Sequence, residues 1–279
     1  MKISLLAVLA AGLAAGQTPD VASIMSRVAV NQAKSQEDRE QWVYTQKQLL
    51  RFIRGGGKLA REERREYTVA PQYRGIKKSL VHFEGKYADH GKEFAYDKPR
   101  YEYKSLDIDG QLIDELSNDM LSDRQGRDGI DREMFPLTYH EQLKYDFKFV
   151  KTEKYHGRDV YRVAFEPKPH VGGEEDGPIW KGEALIDAEE FQPVAVNTKM
   201  AKGLPLLVKT LLGTNIKGLG FSVTYDKFDD GVWFPVSYGG EFEVRAVFVY
   251  KRTMTISMQN VDFRRTDVKS EVAYETDRK

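Results

Sequence analysis

The chain opens with a basic pair, Met1-Lys2, and then an apolar run from Ile3 to Ala15 broken only by Ser4 and Gly12. The run closes in small residues, Ala14-Ala15-Gly16. Basic start, short apolar middle and small-residue exit predict an export signal over residues 1–16, cleaved near Ala15 or Gly16. The run is too short for a lasting anchor, which needs about 20 residues, and it lacks the two-faced pattern of a core helix. From Thr18 to Gln41 the period becomes helical. Val21, Ile24, Met25, Val28 and Gln32 share a face, and Asp20 stands where a cap belongs. At Trp42 the period drops to two and predicts a strand through Trp42, Tyr44, Gln46, Gln48 and Leu50 to Phe52-Ile53. Gly55-Gly56-Gly57 then turns the chain into a second strand around Glu66 to Ala70.

Residues 79–106 predict two or three more extended pieces rich in aromatics: Phe83, Tyr87, Phe94, Tyr96, Tyr101 and Tyr103. Helical spacing returns over Asp107 to Asp131, with Leu112, Ile113, Leu116, Met120 and Leu121, and a short helix is expected between Pro136 and Leu143. The second half reads as almost wholly β. Tyr145–Lys154 and Asp159–Glu166 flank the hairpin signal His156-Gly157. Trp180–Asp187 turns at 188–190 and returns as Pro193–Met200. Phe221–Phe228 turns at Asp229-Asp230-Gly231 into Val232–Tyr238, and Gly239-Gly240 is expected to turn again into Glu241–Val249 and Lys251–Val261. Successive hairpins predict an antiparallel meander that curves into an open sheet or partly closed barrel. No linker or repeat interrupts it, so residues 17–279 are expected to form a single β-rich domain with a helical section at about 107–143.

Composition narrows the class. About 263 residues after cleavage are enough for one large core. The chain is 41% hydrophobic, 31% charged and 11% aromatic, and its mean hydropathy lies well below zero. It therefore reads as globular, neither disordered nor membrane-integral. Lys plus Arg and Asp plus Glu number 43 each, so no net field recruits nucleic acid or anionic lipid. The mixed run Arg61-Glu62-Glu63-Arg64-Arg65-Glu66 is expected to be a solvated face. There is no Cys, which removes disulfides, thiol chemistry and lipid attachment at a processed Cys.

Candidate chemistry is sparse. His140-Glu141 starts a His-Glu-x-x-His pattern, but Lys144 stands at the second His position. His156 is explained by its turn. His170 and the acids Glu174, Glu175 and Asp176 read as a solvated loop. Asp226 to Gly231 begins like a calcium loop, but its third and twelfth positions are Phe228 and Ser237 and not acids. Gly55-Gly56-Gly57-Lys58 fails as a phosphate loop because Phe52 and Leu59 occupy required positions. No Gly-x-Ser-x-Gly elbow occurs. No catalytic, cofactor-binding or metal-binding residue is assigned. What remains is shape: a curved sheet with separate helices can enclose an apolar hollow. The greasiest stretch, with Leu204, Leu206, Leu207, Val208, Leu211 and Leu212, could line its mouth or plug the core.

Three segments carry a resemblance. They are Trp180-Lys-Gly-Glu-Ala-Leu-Ile-Asp187, Phe191-Gln-Pro-Val194 and Asp230-Gly-Val-Trp-Phe-Pro235. Their Trp180, Gly182, Asp187, Gly231, Trp233 and Pro235 resemble the outer-membrane lipoprotein-sorting protein family, the LolA/LolB-like superfamily. The resemblance is best from about Tyr145 to Phe263. It implies an α+β, mainly β fold: a strongly curved, unclosed antiparallel half-barrel with amphipathic helices over its concave side and a cavity for acyl chains. The export signal, the lack of a Cys for lipidation and the lack of a second apolar stretch of spanning length predict a free periplasmic protein without a membrane span in the mature chain. Arg124, Arg127 and Arg132 all stand where the lid arginine of such carriers could lie. Three functions stay open: a carrier or binding protein for lipid or acylated lipoprotein, an interaction or sensory module docking an envelope lipoprotein or membrane-protein partner, and a hydrolase with an unrecognised carboxylate pair.

Overall fold

The computed structural model describes residues 19–72, 75–120, 136–171, 179–202, 215–217, 220–228, 230–246 and 250–266. Helix α1 (Val21–Arg39) comes first. The Asp20 carboxylate accepts from the backbone N–H groups of Ala22 (3.2 Å) and Ser23 (3.1 Å), which satisfies donors that a helix start leaves open. Ile24, Met25, Val28 and Ala29 make its buried stripe.

Strands β1 (Trp42–Arg54), β2 (Leu59–Pro71), β3 (Ile76–Asp89) and β4 (Lys92–Tyr96) follow, then α2 (Ile108–Met120) and α3 (Tyr139–Gln142). The second half supplies β5 (Tyr145–Tyr155), β6 (Arg158–Pro167), β7 (Ile179–Asp187), β8 (Pro193–Lys202), β9 (Asn215–Lys217), β10 (Ser222–Lys227), β11 (Trp233–Ala246) and β12 (Tyr250–Arg265). All belong to one antiparallel sheet in the order β4-β3-β2-β1-β12-β11-β10-β8-β7-β6-β5, with β9 beside β11. β4 and β5 stand at opposite ends of that order, so the sheet is open. The fold is mainly β, a curved half-barrel with helices on its concave side.

Register defines the faces, because residues directly opposite one another point the same way. Leu50 of β1 faces Glu63 of β2 and Ile256 of β12; Phe52 faces Arg61 and Met254. This inner face carries two large apolar clusters. One joins Ile24, Met25 and Val28 of α1 to Val163, Phe165, Val196, Val223, Tyr238 and Met258 of the sheet. The other joins Leu112 and Ile113 of α2 to Leu50, Phe52, Phe242, Val244, Met254 and Ile256. The opposite face is polar and carries ion pairs such as Arg162–Glu183 (2.5 Å) and Lys47–Glu66 (3.7 Å).

Most turns lie where the glycines indicate. His156 (φ 48°) and Gly157 (φ 84°) both adopt the left-handed conformation that a two-residue hairpin of this kind requires. Gly239-Gly240 is a correction. The pair does not turn the chain; it lies inside β11, which pairs with β12 from Ser237↔Gln259 to Ala246↔Tyr250. A Cβ on Gly240 would come within 2.5 Å of the Gly220 carbonyl oxygen, so Gly240 serves close backbone approach in a bent sheet. The second strand is also longer than expected, starting at Leu59. The predicted helix from 107 is described only as far as Met120; its remainder, with Arg124 and Arg127, lies outside the described residues, as do Arg132 and residues 1–16.

Candidate functional site

Sheet and α2 meet through charge as much as through apolar contact. Asp107 caps α2, its carboxylate accepting from the Gly110 N–H at 3.0 Å, and its other oxygen takes Arg61 Nη1 at 2.5 Å. Two residues on, Asp109 accepts from Arg252 Nε (2.9 Å), Arg252 Nη2 (3.0 Å) and the Tyr250 hydroxyl (2.7 Å). Asp114 accepts from Arg65 Nη2 at 2.8 Å. Three helix carboxylates thus seat on three strand guanidiniums.

Glu63 knits the sheet side of this contact. It accepts from both Arg65 nitrogens, from Arg61 Nε (3.4 Å) and from the Tyr96 hydroxyl (2.6 Å). Arg61 also donates to Tyr96 (2.7 Å) and to the Tyr101 carbonyl (2.6 Å). Arg61 and Glu63 are 0% exposed. The run 61–66, expected to be a solvated face, is thereby corrected. Strand alternation keeps Arg64 and Glu66 outward but turns Arg61, Glu63 and Arg65 inward, where each finds an opposite charge. Burial opposes the charge on Arg61, but Tyr96, Asp107 and Glu63 outweigh it and raise its pKa. Burial also opposes the charge on Arg65, and Glu63 outweighs it in the same direction. Burial and the Glu63 carboxylate push the Tyr96 phenol well above its ordinary range.

Beside the charges runs a buried amide row on the same inner face. Gln46 accepts from Gln48 Nε2 (3.0 Å) and Lys78 Nζ (3.3 Å), and donates to Asn260 Oδ1 (3.1 Å). Asn260 Nδ2 reaches the Pro235 carbonyl at 2.9 Å. Gln48 Oε1 and Ser117 Oγ of α2 are buried without a hydrogen-bond partner. Ser117 lies one turn beyond Asp114, whose partner Arg65 stands opposite Gln48. Burial lowers the Lys78 ammonium to about 7.

The residues named from the sequence have distinct places. Leu204, Leu206, Leu207, Val208, Leu211 and Leu212 lie outside the described residues. Trp180 is buried in the α2-side cluster and packs edge-on against Phe221 at 5.4 Å. A Cβ on Gly182 would lie 1.9 Å from the Asn197 carbonyl oxygen. Asp187 accepts the N–H groups of Glu189 (3.0 Å) and Glu190 (2.8 Å), fixing the β7–β8 turn. Gly231 (φ 87°) turns β10 into β11. Trp233 donates its Nε1 to Glu190 at 3.0 Å and lies under the Arg158 guanidinium at 5.1 Å, while Pro235 supplies the carbonyl held by Asn260. These positions build turns and strand contacts. The polar network beneath α2 went unread because its members sit in runs whose composition alone looks solvated. The one available signal was the strand period of two across 61–65.

Among the described residues no group of three or more His, Asp or Glu could hold a metal ion, and no described helix is long and apolar enough to cross a membrane. No protein-family model matches the chain. A comparison with curated proteins finds no match either. Among solved structures the chain is similar to an outer membrane lipoprotein-sorting protein domain from Vibrio parahaemolyticus, at 12% identity and TM-score 0.38 over 87% of this chain and 94% of that one. It is also similar to a DUF1329 family protein from Desulfovibrio piger, at 14% identity and TM-score 0.36 over 91% and 96% of the two chains. A LolA superfamily protein from Nitrosomonas europaea matches at 11% identity and TM-score 0.34 over 90% and 95%.

Proposed function

We propose that the protein is a non-enzymatic carrier or binding protein of the periplasm that takes up a lipid, or the acyl chains of a lipoprotein, against the inner face of its sheet. The observation that supports this most is the one-sided construction. A path of eleven strands turns one face inward. That face carries a large apolar cluster in each half, and each cluster takes in residues of one helix, α1 or α2. Acyl chains crossing water need such a surface, and open or closed β-barrels are a common way to provide it. The stretch Leu204–Leu212 would line the mouth, and the export signal would deliver the protein to where such cargo travels. The amide row of Gln46, Gln48 and Asn260 would then face the ester or amide linkage of an acylated ligand.

Native mass spectrometry of protein purified from the periplasm tests the reading. A mass increment matching a lipid, lost on delipidation and restored with the same lipid, is the expected result. Only ligand-free masses, together with no saturable uptake of a fluorescent fatty acid, would sink it.

A further inference from the structure

The amide row on the inner face ends in an acceptor that no described residue satisfies. Pro235 contributes a carbonyl, which can only accept, so Asn260 must present Nδ2 to it, at 2.9 Å. Asn260 Oδ1 is then left to accept from Gln46 Nε2 at 3.1 Å, and Gln46 Oε1 from Gln48 Nε2 at 3.0 Å. One fixed end thereby sets the polarity of all three amides. The row runs out at Gln48 Oε1, buried without a donor, and Ser117 Oγ of α2 is likewise buried without a partner. Gln48 is 3% exposed and Ser117 0%. Register brings them to one region. Gln48 stands between Arg65 of β2 and Met258 of β12. Arg65 holds Asp114, and Ser117 follows Asp114 at i+3, on the same side of the helix. Leu50, the next inward residue of β1, belongs to the apolar cluster under α2. The two unmet atoms thus lie at the border between polar row and apolar surface, where the head of an amphiphile would rest.

Taken with the lipid reading, on which the inference rests, these two atoms specify the head of the ligand. Gln48 Oε1 needs a donor, and Ser117 Oγ can both donate and accept. An ester by itself has no donor to give. An anionic head brings only acceptors and would set oxygen against oxygen. An ammonium head would need a counter-charge once buried, yet Glu63 is already seated on Arg61 and Arg65, and Asp114 on Arg65. Glu115 lies about 160° round α2 from Ser117. A hydroxyl meets both needs with one oxygen: it donates to Gln48 Oε1 and accepts from Ser117. We propose that the inner face binds a partial glyceride. Its ester lies against the amide row, a free glycerol hydroxyl sits between Gln48 and Ser117, and its acyl chain runs along Leu50, Leu112 and Ile256.

Displacement of a fluorescent fatty acid from the full chain, by competitors sharing one oleoyl chain, tests the assignment. Monooleoylglycerol should bind about tenfold tighter than methyl oleate, which has the ester without a hydroxyl. Gln48→Met should bring the two within about twofold of each other; Gln46 Oε1 keeps Lys78 as a donor in that variant. Ser117→Ala removes no hydrogen bond of the free protein. It should cut the preference about threefold at unchanged or raised Tm. Equal binding of the two competitors by the natural protein overturns the proposal and leaves the lipid reading standing, the two atoms then sharing only a buried water. No uptake of the probe, or no displacement by either competitor, defeats the lipid reading and the glyceride with it. Oleic acid or oleamide binding more tightly than monooleoylglycerol also overturns the proposal, as does a preference that survives both substitutions.

Discussion

Lys78 is half-buried on β3, its ammonium 3.3 Å from Gln46 Oε1. Burial lowers its pKa to about 7 in the fold, against about 10.4 in an unfolded chain. Between those values the unfolded state binds the extra proton, so this group makes stability rise with pH from about 7 toward 10. Urea midpoints measured from pH 7 to 9.5 should therefore climb more steeply in the natural protein than in Lys78→Met, and equal slopes would refute the assignment. Gly182 makes a purely steric case. With a Cβ 1.9 Å from the Asn197 carbonyl oxygen, the β7–β8 pair must part, because the obstacle is backbone and not a movable side-chain end. Gly182→Ala should cost about 2 kcal/mol or more, read as a lower urea midpoint at unchanged slope.

At the scale of elements, α2 stands out because carboxylates fasten it as well as apolar side chains. Asp109→Asn keeps the shape and removes the charge that holds Arg252 and Tyr250, at an expected cost of about 2 kcal/mol. Asp107→Ala removes a helix cap and strips the fully buried Arg61 of one of its two carboxylates, so a loss of about 3 kcal/mol is expected. Hydrogen exchange should show α2 amides losing protection in both variants ahead of β1 and β12. Uniform loss across the sheet would mean that α2 is not separately held. These contacts also mark what the sequence could and could not convey. α1, β1 and the hairpin at His156-Gly157 were legible because local period and turn chemistry decide them. Gly239-Gly240 misled because a glycine pair signals both a turn and a close backbone approach, and only the neighbouring Gly220 carbonyl separates the two. Arg61, Glu63 and Arg65 were hidden because their partners, Asp107, Asp114 and Tyr96, are distant in sequence and come together only in the folded sheet.

For the molecule as a whole, the strand order is decisive. β12, the last strand, hydrogen-bonds β1, the first, along Trp42↔Arg265 to Arg54↔Arg252, and on its other side pairs with β11. The chain's two halves are thus joined at the middle of the sheet, and β12 contributes Met258 to one large cluster and Met254 and Ile256 to the other. Neither half has a complete core without that strand. Residues 17–279 should accordingly unfold as one unit, although α1 and α2 cover different parts of the face. Trp42 lies on one side of the joint and Trp180 and Trp233 on the other, so their fluorescence samples both halves. Urea curves from tryptophan emission and far-ultraviolet circular dichroism should superimpose, and removal of residues 250–266 should abolish folding rather than leave a stable fragment. Two separated transitions, or a truncated chain that keeps a cooperative transition, would instead show two domains sharing a continuous sheet.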